Sequence, residues 1–349
     1  MPTYPRPKKV LAIQFKQIGD SVLVVPSLRA IRRQWPECQL HVVVFENIAE
    51  ILRPIPWINH VWGISKSKSP LSIFRTFRIL FKLRNMKFCR SVDFGVNDRG
   101  AWFGFFINAK LRLGAKKKKK TGAFHISNYG YNQTIVQKYD DYYQASVLIS
   151  VLRAWGILPN EMKLELHVGN ESPMQKGLEL PDEFICLHLT TARSVKNWPV
   201  SKWSRLHDLL CERKIPVVVS AGSSREERQI AKSFSDASPN AMVLPTFETI
   251  HAFLHFIQHS RLLVCGDTAP VHMAASLGVS TLTLFGPTDD ELWKPRGRRH
   301  FDINAHCRCK TEKTFDPCKM QSICMDSISA VEVFDMAIEI LKEPEFSMS

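Results

Sequence analysis

"GDTAPVHMAASLG", residues 266–278, lies between two apolar runs, Leu262-Leu263-Val264-Cys265 and Thr281-Leu282-Thr283-Leu284-Phe285. Short apolar runs bounded by turn residues read as buried strands, and the stretch between them reads as a helix opened by Asp267, Thr268 and Pro270. Strand, polar turn, helix and strand is the repeating unit of a parallel α/β sheet. In such a sheet the turn after a strand sets backbone amides and a helix amino terminus at the ligand crevice, where they favour anions. Asp267 and Thr268 as helix caps, with Pro270 in the first turn, are the plain structural explanation. It leaves out His272, one turn inside the helix, which shares the helix mouth with an acid and a hydroxyl. It also leaves out Phe285-Gly286-Pro287-Thr288, a second polar break at the same end of the sheet.

The same unit recurs outward from this point. Phe184 to Leu189 reads as a strand, Thr190 to Trp198 as a polar turn, and Ser201 to Arg213 as a helix. Val217 to Val219 is the next strand, Ala221-Gly222-Ser223-Ser224 opens a helix at Arg225, and Ala241 to Leu244 is a further strand. Near the amino terminus, Val10 to Phe15 reads as a buried strand closed by Gly19-Asp20. Val24, Leu28, Ile31 and Trp35 follow at helical spacing, with Pro26 separating or kinking the first turn. Leu40 to Phe45 is the next strand. Residues 168–182, rich in Gly, Ser, Pro and Glu, read as a linker. The expectation is two doubly wound parallel α/β domains, residues 1–168 and 183–326, with a closing helical segment, 327–349. Ligands are expected at the carboxyl ends of the strands.

Composition narrows the function classes. A chain of 349 residues suits two cores, and 45% hydrophobic with 23% charged residues excludes a disordered protein. A net charge of +14 predicts a polyanionic neighbour: nucleic acid, an anionic membrane or a phosphorylated substrate. No apolar run approaches the roughly 20 residues of a membrane span, and the first residues lack the apolar stretch of a signal peptide, so a cytoplasmic location is expected. The nine cysteines lie mostly in apolar runs, as Cys186 and Cys265 do, and read as small buried hydrophobes rather than a disulfide framework. Cys307, Cys309, Cys318 and Cys324 form C-x-C-x8-C-x5-C. That pattern lacks the paired C-x2-C of a zinc knuckle, and free thiols are favoured over structural zinc.

Two further stretches carry chemistry. In "HLTTARSVKNWP", residues 188–199, Thr190, Thr191, Arg193 and Lys196 fall between a strand and a helix; they read as a diphosphate clamp or as a solvated basic loop. Neither G-x-G-x-x-G nor G-x-x-x-x-G-K is present, so the ordinary dinucleotide and P-loop signatures are missing. In "KQIGDSVLVVPSL", residues 16–28, Asp20 stands at the top of the first strand, as a helix N-cap or as a carboxylate that takes a proton from an acceptor hydroxyl.

Two segments are strongly basic. From Lys66 to Arg90 there are eight lysines or arginines and no acid, with Phe74, Phe77 and Phe81 at helical spacing. The phenylalanines either pack on the sheet or form part of a surface that docks on anionic lipid. Lys116, Lys117, Lys118, Lys119 and Lys120 form a run that is solvated or meets the phosphates of an acceptor. No aromatic–glycine RNA-binding signature accompanies them, and nucleic acid is not expected.

Taken together, the Gly19-Asp20 turn with Pro26 after it, Lys196-Asn197-Trp198-Pro199, Asp267-Thr268-Ala269-Pro270-Val271-His272 and Phe285-Gly286-Pro287-Thr288 make the chain resemble glycosyltransferase family 9, the heptosyltransferases of the lipopolysaccharide inner core. The resemblance covers nearly the whole length. It implies a GT-B fold of two Rossmann-like domains facing a central cleft, and a last helix of the kind that often crosses back to the first domain. The implied reaction is metal-independent, inverting transfer of heptose from ADP-L-glycero-D-manno-heptose to lipopolysaccharide core or lipid A. No cofactor is implied beyond this donor, and the implied location is cytoplasmic and peripheral on the anionic inner-membrane surface. Asp20 matches the general base and Lys196 the lysine on the donor diphosphate, assisted by Thr190 or Thr191. Asp267 matches the residue contacting the donor sugar, with Thr268, Ala269 and His272 as companions, and Glu226 lies near the ribose-binding acid. Ala269 stands where many relatives have glycine. The residues by themselves leave open a transferase or epimerase of another nucleotide sugar, or a non-catalytic binder of sugar nucleotides or nucleic acid.

Overall fold

A computed structural model describes residues 6–116, 130–136, 143–158, 162–169, 179–305 and 323–343. The chain divides into two compact units, residues 1–167 and 168–349.

In the first unit β1 (Lys9–Gln14), β2 (Gln39–Phe45), β3 (His60–Ile64), β4 (Arg90–Asp93), β5 (Leu111–Lys116) and β6 (Gln133–Val136) form one sheet in the order β3-β2-β1-β4-β5-β6. Every pairing is parallel. Parallel sheets are covered on both faces, which is why β1 reads as the continuous apolar run Val10-Leu11-Ala12-Ile13, all fully buried. Pro26 divides the following helical stretch as its chemistry requires. Ile18–Val22 ends before it, and Val25–Gln34 begins with the proline in its first turn, where a missing amide costs nothing. β4 was hard to foresee because it opens on Arg90, which is buried with its guanidinium 4.4 Å from the Trp35 ring and 5.5 Å from that of Trp155.

The second unit repeats the plan. β7 (Ile185–His188), β8 (Val217–Ser220), β9 (Met242–Val243), β10 (Leu262–Gly266), β11 (Ser280–Phe285) and β12 (His300–Asn304) pair in parallel in the order β12-β11-β10-β7-β8-β9. Counted from its own first strand, each sheet has the same sequence of neighbours, and each reverses direction between its first and fourth strands. In open α/β sheets that reversal opens the crevice that takes ligands. The closing helix, Ala330–Lys342, puts Val333, Phe334, Ala337 and Ile340 into the second unit's core beside Trp203, Leu206 and Leu210 of the helix Val200–Glu212.

The helix Pro70–Asn85 corrects one expectation. Its phenylalanines do not pack on the sheet: Leu80 and Leu83 are its buried residues, and Phe74, Phe77 and Phe81 are exposed. Thr76, Ile79, Leu80 and Leu83 share one side of the helix, and the phenylalanines fall on another.

Candidate functional site

At the reversal point of the second sheet, the turns after β7 and β10 meet. Lys196 Nζ lies 2.5 Å from Asp267 Oδ2, with the lysine side chain 16% and the aspartate 7% exposed. The surroundings fix both partners. Asn197 Oδ1 accepts from the Thr191 N–H at 2.8 Å, and Thr191 Oγ1 donates to the Arg193 carbonyl at 2.7 Å, so the loop is closed on itself. Trp198 is buried, donates from Nε1 to the Ile328 carbonyl at 3.1 Å, and meets Trp203 edge-on at 4.8 Å. Lys-Asn-Trp-Pro is therefore one cation, one loop tie, one anchor and the start of a helix. Gly266 lets the two turns approach: a Cβ there would stand 2.9 Å from Thr191 Cγ2 and 3.2 Å from the Lys196 carbonyl.

The capping explanation for Asp267 and Thr268 does not survive. Thr268 occupies the N-cap position of the helix Ala269–Ser276, but its side chain makes no capping bond, and the Asp267 carboxylate goes to Lys196. Thr268 and Ala269 are half-buried at the helix mouth. His272 is 2% exposed, and its Nδ1 has no hydrogen-bond partner among the described residues. Burial drives its pKa down to about 4 although Asp267 works the other way, so the ring is neutral at neutral pH. A buried imidazole with an unpaired nitrogen beside an ion pair is not a satisfied core histidine.

On the β8 side, Thr190 Oγ1 donates to Glu227 Oε1 at 3.2 Å and accepts from the Gly222 N–H at 2.8 Å. Glu227 also completes a capping box with Ser224 at the start of the helix Arg225–Ala237. The acid turned toward the β7 motif is thus Glu227; Glu226 is exposed on the same helix turn. Neither threonine hydroxyl is free for a clamp. Thr190 secures the acid, and Thr191 secures the lysine loop.

In the first unit, Asp20 sits inside the short helix Ile18–Val22, whose N-cap is Gln17, so the capping explanation fails here too. Its carboxylate pairs with Lys16 Nζ at 3.6 Å and stays partly open, 19% exposed. The turn after β4 holds a residue set that the sequence did not advertise. Asp93 is buried and accepts from Tyr131 Oη at 2.5 Å and from the Gly95 N–H at 2.8 Å. Burial raises its pKa to about 6 against those hydrogen bonds and the Lys16 charge. Val96 has φ 47°, a left-handed conformation that a β-branched residue rarely adopts. Asn97 then ties the turn to β1, donating from Nδ2 to the Phe15 carbonyl at 2.9 Å and capping the helix Asp98–Ile107. Short polar loops give no periodic signal, and Asp93 ends a strand that the apolar pattern does not mark.

Residues 76–323 match the family model described as glycosyltransferase family 9 (heptosyltransferase). The chain belongs to glycosyltransferase family 9. It is 22% identical to lipopolysaccharide heptosyltransferase 3 of Escherichia coli over 79% of this chain and 83% of that protein. It is 24% identical to lipopolysaccharide heptosyltransferase 1 of Pseudomonas aeruginosa over 97% of this chain and 99% of the other. Among solved structures, a family 9 glycosyltransferase from Veillonella parvula superposes with a TM-score of 0.79 at 17% identity, covering 96% of this chain and 97% of that one. The E. coli heptosyltransferase WaaC, solved with ADP-2-deoxy-2-fluoro heptose, superposes at 0.71 with 17% identity, covering 95% and 99%. The fold of this family 9 glycosyltransferase is therefore GT-B. Of the remaining sequence candidates, Lys117, Lys118, Lys119, Lys120, Cys307, Cys309 and Cys318 lie outside the described residues. The backbone of Lys116 ends β5, and Cys324 is buried.

Proposed function

We propose that this glycosyltransferase moves heptose from ADP-L-glycero-D-manno-heptose to the inner core of lipopolysaccharide, with inversion, without a metal, and with Asp20 as general base. The observation that carries the reading is the Lys196–Asp267 pair, half-sheltered at the mouth of a helix whose first turn has no side-chain cap. A departing diphosphate needs fixed positive ends in a dry setting, and Lys196 with the helix amides supplies them. When Lys196 turns to the diphosphate, the Asp267 carboxylate is released to accept hydrogen bonds from the sugar hydroxyls. Neutral His272 offers its unpaired nitrogen to the same donor, and Glu227, braced by Thr190, is the acid available to the ribose. The acceptor oxygen forms its bond to the anomeric carbon from the face opposite the phosphate. The anomeric C–O bond to phosphate breaks, ADP leaves as an anion, and the acceptor's proton passes to Asp20. One displacement inverts the centre, and no second carboxylate is needed.

The names of the relatives supply the sugar and the acceptor class. The enzyme then works on the cytoplasmic side of the inner membrane. No described helix is long and apolar enough to cross a bilayer. The test is a thermal-shift panel of ADP, UDP and GDP and their sugars, followed by transfer from ADP-heptose to a core acceptor by wild type and Asp20→Asn. Stabilisation by adenine nucleotides, with turnover lost and donor affinity kept in the variant, is expected. Stabilisation by UDP alone, or full turnover by Asp20→Asn, would overturn the reading.

A further inference from the structure

The helix Pro70–Asn85 gives little of itself to its own sheet. Leu71, Phe74, Phe77 and Phe81 are 59%, 60%, 51% and 55% exposed. The three phenylalanines follow one another at spacings of three and four, which lines them along one stripe, and Leu71 lies a turn earlier at its edge. Arg75, Arg78 and Lys82 each follow a phenylalanine by one residue and so form a second exposed stripe beside the first, about 100° around the axis. No acid occurs between Lys66 and Arg90, so the segment does nothing to neutralise that charge itself. The neighbouring helix Asp98–Ile107 adjoins through Phe106, which meets Phe81 edge-on at 5.3 Å and lies 5.4 Å beneath the Arg84 guanidinium. That helix adds Trp102 and Phe105, both about half exposed.

We propose that the helices Pro70–Asn85 and Asp98–Ile107 form a docking surface for an anionic phospholipid bilayer. The rings enter the headgroup region, and Arg75, Arg78 and Lys82 meet lipid phosphates. Aromatic residues favour that depth, and cations beside them add attraction that an uncharged surface does not give. A second copy of this chain is a poor occupant, because a two-fold pairing would set one cationic stripe against the other. The proposal rests on the reading above, in which the acceptor is held in a membrane; it assigns that membrane contact to particular residues.

The experiment is co-sedimentation of the full chain with phosphatidylethanolamine–phosphatidylglycerol vesicles and with phosphatidylcholine vesicles, at low and high salt. Wild type is compared with Phe74→Ser/Phe77→Ser and with Arg75→Gln/Arg78→Gln/Lys82→Gln, all exposed positions, with folding checked by circular dichroism. Wild type is expected on the anionic vesicles only, less so at high salt. The triple charge variant is expected to partition on the order of 100-fold more weakly, since each basic residue near such a surface contributes about fivefold. The serine variant is expected to lose binding even at low salt. Equal binding by all three proteins would overturn the assignment. So would a wild type that ignores vesicles and forms dimers which the serine variant abolishes. Transfer to a deacylated core oligosaccharide, measured in parallel, separates the two readings. Both variants are expected to retain it, and its absence in wild type with vesicle binding intact would sink the transfer reading alone.

Discussion

Replacing Lys196 with methionine keeps most of the side-chain volume and removes the charge, leaving Asp267 as a carboxylate with 7% exposure and no ammonium 2.5 Å away. At an effective dielectric of ~20 the gross attraction over that distance is about 7 kcal/mol, most of it offset by desolvation of both ions. Removing one partner of a buried pair costs about 3–5 kcal/mol; the lower end applies here because Lys196 keeps 16% exposure and water can replace it in part. The expected loss is about 3 kcal/mol, read from urea unfolding followed by the fluorescence of Trp198 and Trp203, both buried in the same core. Adding Asp267→Asn removes the stranded charge and should restore most of that stability. Turnover behaves differently: Lys196→Met should lower kcat on the order of 100- to 1000-fold, and the double variant should recover none of it. A loss below about 1 kcal/mol in the single variant, or an active double variant, would refute the view that this pair is a sheltered charge reserve for the donor.

Other expectations follow from the same geometry. Burial holds Asp93 near 6 when folded, above the ordinary carboxylate value of about 3.8, so the unfolded chain releases that proton first. Stability is therefore lost as pH rises from about 4 to about 6, by about 3 kcal/mol, and the stability difference between Asp93→Asn and wild type, followed across that range, should display it. His188, His272 and His300 are each pushed down to about 4 by burial. Their stabilisation is complete above about 6.5 and lost as pH falls toward 4, so His188→Gln should make acid unfolding shallower. Gly266→Ala drives a methyl against the Thr191 side chain and the Lys196 carbonyl. It should weaken ADP-induced thermal stabilisation at least tenfold in apparent affinity, and an unchanged shift would count against the close approach of the two turns. Glu227→Ala should cost about 1 kcal/mol through the capping box and reduce nucleotide affinity, whereas Glu226→Ala should do neither.

Much of the fold is legible in the amino-acid sequence, for reasons that differ by element. Central parallel strands are buried on both faces, so β1, β7 and β10 contain continuous apolar runs, and β11 interleaves leucines with buried threonines. Pro26 announced the break between two helices because its chemistry is local. β4, β5 and β6 carry arginine, glycine or glutamine and only four to six residues, and their strand character depends on neighbours that a one-dimensional pattern does not contain. In the site, Lys196, Asp267 and His272 stood out as polar groups between strand and helix. The roles of Thr190 and Thr191 did not, because which hydroxyl is spent on a loop is decided by a partner 32 or 37 residues away or by the fold of a single turn. Which of Glu226 and Glu227 meets Thr190 has a similar cause: in a helix, adjacent positions differ by about 100° in direction, and the capping box fixes the orientation of Glu227.

The helix Ala269–Ser276 starts without the side-chain hydroxyl or carboxylate that ordinarily completes such an end. On the proposed chemistry, two phosphate groups finish that piece of secondary structure from outside. Those groups are the same before and after the sugar has gone. Spent nucleotide is therefore as good a finishing piece as fresh donor, and it should compete for the enzyme wherever it accumulates.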